Sequence, residues 1–135
     1  MNINQYITDI NRFRELAAEL PEDNPAALLK KIELLSKCLV LVGDVSAEFD
    51  RRYKLIHAKR DMDYAKAYID APRPKKEHAE LATEGIRRRE AEYYGLMQKY
   101  RNEFESTTEV IHYLKLKLKV DFADGSIGSR YQGRG

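Results

Sequence analysis

The sequence predicts an all-α protein: a long antiparallel, coiled-coil-like helical hairpin capped by a short N-terminal helix. Apolar residues recur at heptad spacing along two long stretches, as in an a/d seam. The segment Ala71-Pro72-Arg73-Pro74 separates the two stretches. Charged residues make up 34% of the chain, which has only 7 Gly and 4 Pro, and this composition is typical of long helices with solvated faces.

The first predicted helix covers residues 4–20. Its apolar side chains fall on one face at spacings of three and four, and they are Ile7, Ile10, Phe13, Leu16, Ala17 and Leu20. Pro21 follows it, so the helix is expected to stop there. Asn24 and Pro25 are then typical of an N-cap followed by the first residue of a new helix.

The second predicted helix covers residues 25–71. Its first apolar set recurs every seven residues and consists of Leu28, Leu35, Val42, Phe49 and Ile56. Ile32 and Leu39 begin the second set, which becomes polar further along the chain. These positions predict an a/d seam of about four heptads that weakens after Ile56.

The third predicted helix covers residues 75–119 and carries the same repeat. One set is Ile86, Tyr93, Tyr100, Thr107 and Leu114, and the other is Met97, Phe104, Ile111 and Leu118. Two long helices joined by a short turn that contains Pro are expected to fold back on each other. Helix 4–20 is expected to cover the open end, near Leu28–Leu39 and Ile111–Leu118.

Residues 114–122 have two interpretations. They alternate strictly between apolar and polar residues, which is the pattern of a strand, yet Leu114 and Leu118 also continue the helical seam. Helix to about residue 119 is favoured, and a short C-terminal strand is the alternative. Residues 125–135 are rich in Gly and basic, so we expect a flexible tail after a single domain at 1–124.

The sequence also indicates a compartment. The single Cys38 cannot form an intramolecular disulfide, and no signal peptide is recognisable at the N-terminus. The longest apolar run, Leu39–Val42, is far shorter than a membrane span. We therefore expect a soluble cytoplasmic protein with no membrane partner. A two-helix hairpin is thin, and we expect a homodimer because it would bury more of the apolar surface.

Basic residues concentrate in the middle of the chain, where residues 51–89 hold 12 Lys or Arg and only 6 Asp or Glu. With a turn near residue 73, Arg87–Arg89 are expected beside residues 57–59. The candidate binding residues are Arg51, Arg52, Lys59, Arg60, Arg73, Lys75, Lys76, Arg87, Arg88 and Arg89. Such a patch suits nucleic-acid phosphates or an acidic protein surface.

The same charges have a simpler interpretation as a solvated helix face. Glu84 precedes Arg88 by four residues and Glu48 precedes Arg52 by four, so ion pairs within a helix account for part of the patch. Tyr64, Tyr68, Tyr93 and Tyr94 share this region and are candidates for stacking on bases.

Catalytic and metal motifs are sparse. Glu109-Val-Ile-His112 has the Glu-x-x-His spacing of di-iron bundles, but those sites need two such motifs and this chain has one. No Walker-type loop, Gly-x-Ser-x-Gly or Gly-x-Gly-x-x-Gly occurs. Cys38 is expected to pack as a small apolar residue between Leu35 and Leu39. The sequence therefore predicts no catalytic residue, metal or cofactor, and a protein that is not an enzyme.

A resemblance concerns the C-terminal half. Tyr93-Tyr94, Phe104-Glu-Ser106 and Glu109-Val-Ile-His-Tyr-Leu-Lys115 resemble small helical-hairpin proteins from the early, recombination or replication regions of phages of Gram-positive bacteria. The resemblance implies an accessory role in the host cytoplasm, around phage DNA metabolism or against a host system. Two functions are thus expected: nucleic-acid binding through the basic patch, or a protein-interaction module that inhibits or bridges a host protein, such as a nuclease or a defence complex.

Overall fold

The computed structural model describes residues 1–122, which form four helices and no strand. Helix α1 spans Ile3–Ala18, α2 spans Pro25–Asp70, α3 spans Lys75–Ala82 and α4 spans Glu84–Phe122. The two long helices, α2 and α4, are antiparallel and pack against each other. The predicted all-α hairpin with a short N-terminal helix is confirmed.

The chain divides into two compact units. The first comprises Met1–Val45 and Asn102–Gly135, and the second comprises Ser46–Arg101. Helix α1 belongs to the first unit and α3 to the second, whereas α2 and α4 contribute to both. The tail predicted at 125–135 lies outside the described residues.

Local signals account for the ends of α1 and α2. The Asn2 side chain accepts a hydrogen bond from the Gln5 backbone N–H at 3.2 Å, which satisfies one free donor at the start of α1. Asn24 accepts from the Ala27 N–H in the same way at 3.0 Å. At its other end α2 stops at Asp70, because the residue before Pro72 is restricted to extended conformations.

The core of the first unit joins α2 and α4. Leu28 and Ile32 pack with Ile111 and Leu114, and Leu28 and Leu114 are at most 1% exposed. Gly43 lies opposite Phe104, where an added Cβ would come within 3.1 Å of the ring atom Cε2. A larger residue at position 43 would therefore push the ring away.

Helix α1 lies somewhat differently on α4 than the sequence suggested. It contacts α2 at Cys38, whose Sγ donates to the Ile10 carbonyl at 3.8 Å, within the predicted stretch. On α4, however, Arg14 pairs with Glu103, which precedes the expected Ile111–Leu118 by two turns.

The core of the second unit is aromatic. Phe49 is 4% exposed, and its ring centroid lies 5.6 Å from that of Tyr100 and 6.4 Å from that of Tyr93. Further along, the His57 Nδ1 atom meets the Glu90 carboxylate. The pairing of residue 57 with residue 90 agrees with the register expected for a turn near residue 73.

The helix predicted over 75–119 is in fact two helices. It breaks at Thr83, which is 3% exposed and has φ −106° and ψ 11°. The Thr83 backbone N–H still makes the helical bond to the Ala79 carbonyl, but the Thr83 hydroxyl donates to the same oxygen at 2.9 Å, and such a side-chain bond competes with regular helix. Gly85, two residues later, further weakens helix propensity at this point.

The strand alternative for residues 114–122 is wrong. Helix α4 continues to Phe122, three residues beyond the predicted end. Leu114 is buried, and Leu118 and Phe122 pack against the same cluster at spacings of four, as helical periodicity requires. Lys117 and Asp121 form a pair of the same spacing at 3.2 Å. Packing on α2 therefore decides against the period-two pattern.

Candidate nucleic-acid interface

All ten predicted binding residues belong to the second unit. Those on α2 are Arg51, Arg52, Lys59 and Arg60, those on α3 are Lys75 and Lys76, those on α4 are Arg87, Arg88 and Arg89, and Arg73 lies between α2 and α3. The structure does not bring all of them to one site. Four of them form a first group around one surface hollow, and five others make their contacts away from it.

The first group surrounds a surface hollow of about 250 Å³, called here the basic hollow. Its lining residues come from α2 and α4, and they are Arg51, Arg52, Leu55, Ile56, Lys59, Arg89 and Tyr93. Four are cationic and none is a carboxylate. The fold thus brings Arg89 of α4 to three cations of α2, as the expected register implied.

Glu48 holds two of these cations in place. Its carboxylate accepts from Arg51 at 2.5 Å and from Arg52 at 2.8 Å, and its side chain is only 13% exposed. The guanidinium of Arg52 also lies over the Phe49 ring, 5.8 Å from the centroid. These contacts orient two cations at the edge of the hollow, at the cost of neutralising part of their charge.

The hydrogen bonds from Arg51 and Arg52 lower the pKa of Glu48 from 4.5 to about 2. Because the folded-state pKa is depressed, the stabilisation is fully present above pH 4.5 and is lost as the pH falls through about 2. We expect Glu48→Gln to lower the free energy of unfolding near neutral pH, and the difference from wild type to disappear towards pH 2. Urea denaturation at a series of pH values measures it.

The control for this pH dependence removes its cause. In a background with Arg51→Gln and Arg52→Gln, the further change Glu48→Gln should leave the pH dependence of unfolding almost unchanged, since no cation stabilises the carboxylate. If the free energies of unfolding of the wild type and Glu48→Gln differed by a constant amount throughout this pH range, Glu48 would not be the source of the pH dependence.

Arg60 and Arg87 line a different hollow, of about 270 Å³, that also contains Asp61, Tyr64 and Glu80. Arg60 pairs with Asp61 at 2.9 Å and with Glu90 at 3.3 Å. Arg87 donates to the Glu80 backbone carbonyl at 2.6 Å. Nearby carboxylates reduce the attraction of this hollow for an anion, so these two cations are weaker candidates for phosphate contact.

Three further cations have local partners. Lys75 donates to the carbonyls of Tyr68, Ile69 and Ala71 at 3.3, 3.3 and 2.8 Å, and thereby satisfies acceptors left free where α2 ends. Arg88 pairs with Glu84 at 2.5 Å, as its spacing predicted, and Lys76 lies 4.0 Å from Glu80. The two ion pairs predicted from spacing, Glu84 with Arg88 and Glu48 with Arg52, are both present.

Sequence analysis missed the role of Glu90. Its side chain is 12% exposed and contacts both His57 and Arg60 of α2. His57 also lies 3.6 Å from Asp61. The pair with Asp61 has the spacing of four that the sequence displays, whereas the contact with Glu90 depends on the register of α4 against α2.

The first unit has a separate hollow of about 330 Å³ beside the pair between Arg14 and Glu103. Within residues 1–122 the Glu103 Oε2 atom is buried without a hydrogen-bond partner. Cys38 is buried nearby in the same unit, and burial raises the pKa of its thiol. A buried, protonated thiol agrees with its predicted packing role.

Comparison with protein-family models, with curated proteins and with solved structures gives no match. The resemblance to phage hairpin proteins therefore stays a prediction. No helix within residues 1–122 is both long enough and apolar enough to span a membrane. In the same residues, no three His, Cys, Asp or Glu side chains form a group suited to a metal ion.

Proposed function

We propose that the protein binds nucleic acid, with the basic hollow as its phosphate site. The observation that supports this best is the convergence of four cations around one hollow with no carboxylate in its lining. Arg guanidinium groups offer planar, paired donors that match phosphate oxygens. The proposed role is binding by a non-enzymatic accessory protein, in line with the resemblance seen in the sequence.

The surroundings of the hollow suit a polynucleotide. Tyr93 contributes an aromatic ring to the lining, and Tyr94 next to it is 46% exposed. A base beside a bound phosphate could stack on either ring, which is the usual contact of proteins that bind single strands. If each of the four cations neutralised one phosphate, affinity for a single strand would fall with salt with a logarithmic slope of about −3.

Fluorescence anisotropy with single- and double-stranded oligonucleotides across a salt series tests this proposal. Arg89→Glu reverses a charge in the hollow, and we expect it to weaken binding by about tenfold or more and to reduce the salt slope by about 1. Glu48→Gln should tighten binding severalfold, because removing a competing carboxylate from Arg51 and Arg52 outweighs the orientation that it gives them.

Arg88→Glu is the matched control. It makes the same charge change one residue away, at a side chain that pairs with Glu84 and does not line the hollow. It should weaken binding clearly less than Arg89→Glu. Equal losses in the two variants would show that only net charge matters, and absence of binding at low salt would eliminate the nucleic-acid proposal.

The second candidate function is interaction with another protein, the alternative raised by the sequence. It is supported by large apolar side chains that the second unit leaves in solvent. Leu55, Met62 and Ile69 are 58%, 68% and 73% exposed. Exposed apolar side chains that lie together on one surface commonly mark interaction sites.

A further inference from the structure

The outward face of α2 in the second unit carries a continuous apolar stripe. We call it the α2 stripe, and it consists of Leu55, Ala58, Met62, Ala65 and Ile69. All five are exposed, Leu55, Met62 and Ile69 to 58%, 68% and 73%. Single exposed apolar residues are ordinary on protein surfaces, but a row of five on one helix face is not.

The spacing of the stripe is that of a coiled-coil seam. Its members are separated alternately by three and four residues, which places them on one side of the helix. The buried Ile56, at 7% exposure, belongs to the other side of α2, where the helix packs within its own unit. In this segment α2 therefore has two apolar faces, and its own chain covers one of them among the described residues.

The composition of the stripe suits a helix as its occupant. The large side chains Leu55, Met62 and Ile69 alternate with Ala58 and Ala65. Alanine at alternate seam positions leaves room for a partner's side chains and lets the two backbones approach closely. The resulting ridges and gaps match the side-chain rows of an amphipathic helix.

The flanking charges indicate what kind of helix fits. Lys59 and Lys66 follow the two alanines along one edge, and both are exposed. Lys54 and Asp61 border the other edge, with side chains 72% and 60% exposed. Lys54 and Lys59 already pair with Asp50 and Asp63 at 2.9 and 2.8 Å, but the border residues themselves are positive on balance, so acidic residues on a partner would gain favourable contacts.

The same border disfavours a second copy of this chain. In an antiparallel pair of α2 helices the edges with Lys59 and Lys66 would face each other, and like charges would meet. In a parallel pair Lys54 would face Lys59 of the other copy, and the attraction between Asp61 and Lys66 would only offset that repulsion. Neither arrangement gains net attraction along its edges, whereas an acidic partner helix would meet three lysines and one aspartate.

We propose that the α2 stripe is a docking site for an amphipathic helix of another protein, apolar along its centre and acidic along its edges. This inference does not depend on nucleic-acid binding. Leu55 and Lys59 also line the basic hollow, but Met62 and Ile69 do not. Substitutions at the latter two residues can therefore test the stripe separately.

The test uses a designed peptide of three heptads with Leu at the a and d positions and Glu at the e and g positions, and a matched peptide with Lys in place of Glu. Binding to the full chain is measured by fluorescence anisotropy. We expect the Glu peptide to bind at least about tenfold more tightly than the Lys peptide, because only the Glu peptide complements the border.

Met62→Glu should weaken binding of the Glu peptide by about tenfold or more, since it places a charge in the centre of the seam. Leu81→Glu is the matched control, because Leu81 is equally exposed but lies on α3, and it should have a much smaller effect. Arg89→Glu, which alters the basic hollow, should likewise retain most of the binding. Circular dichroism checks that each variant keeps its helices.

Three results would overturn the proposal. The first is no binding of the Glu peptide, or equal binding of both peptides. The second is equal loss in Met62→Glu and Leu81→Glu. The third is self-association of the wild type in sedimentation equilibrium that Met62→Glu abolishes, which would identify a second copy as the occupant.

Discussion

Replacing Phe49 by alanine is expected to lower the free energy of unfolding by about 3–5 kcal/mol, the usual cost of removing a buried aromatic ring. Phe49 is 4% exposed and packs between the rings of Tyr93 and Tyr100. Its loss would leave a cavity between α2 and α4 in the second unit. Urea denaturation followed by circular dichroism at 222 nm, the wavelength of the helical signal, measures the effect.

Phe104→Ala is the control for this prediction. It removes the same kind of side chain from α4, but Phe104 is 39% exposed, so the substitution removes less buried apolar surface. The expected loss is about 1 kcal/mol. Similar losses in the two variants would mean that Phe49 is not the packing centre that its burial indicates.

The Phe49 variant also connects packing with the proposed function. Phe49 contacts Tyr93 and Arg52, and both residues line the basic hollow. A cavity at Phe49 would free these two side chains to adopt other rotamers. We therefore expect weaker oligonucleotide binding by Phe49→Ala even under conditions where the variant remains folded, because a phosphate site depends on prearranged donors.

Local signals in the sequence were sufficient for most helix boundaries. Asn24 and Pro25 act within the first turn of α2, and Pro72 acts on the residues next to it, so no tertiary information is needed. The heptad positions likewise identified buried side chains. Of the five residues in the first set, Leu28, Val42, Phe49 and Ile56 are buried, and Leu35 is partly buried against the core cluster.

The heptad pattern was less reliable for α4. Phe104 was predicted in the seam, yet more than a third of its side chain is exposed. A strict heptad drifts relative to a straight α-helix, so a seam position can rotate towards solvent. Opposite it, Gly43 offers no side chain to cover the ring.

Sequence spacing alone could not show which cations are paired with a carboxylate. Arg88 has a partner four residues away and was predicted correctly, but Arg60 is paired by Glu90, which only the fold brings near. Conversely, Arg89 joins the hollow of Arg51 and Arg52 because α4 returns beside α2. The sequence therefore predicted a basic region, and the structure was needed to find the hollow whose lining contains no carboxylate, although Glu48 and Asp63 pair with three of its four cations.

The α2 stripe was not predicted from the sequence, for a different reason. Its spacing is visible in the sequence from Leu55 to Ile69, but the same stretch also contains the end of the buried seam at Ile56. Two overlapping apolar patterns on one helix can be separated only when burial is known. The weakening of the first seam after Ile56 was the signal that could have prompted a search for a second face.

The largest effect expected in the first unit is that of Leu114→Ala, which should lower the free energy of unfolding by about 2–5 kcal/mol. Leu114 is 1% exposed and packs against Leu28 and Ile32 of α2, so its removal leaves a cavity that the rigid helices cannot fill. Urea denaturation of the full chain, followed by circular dichroism, measures the loss.

Leu116→Ala is the matched comparison and also tests the helical conformation of residues 114–122. A strand would direct Leu114, Leu116 and Leu118 to one face. Leu114→Ala and Leu116→Ala would then lower the free energy of unfolding by similar amounts. In helix α4, Leu116 is instead 60% exposed, and its replacement should change stability by less than about 0.5 kcal/mol. A large loss in both variants would favour the strand, whereas a loss confined to Leu114→Ala supports the helix that packing on α2 selects.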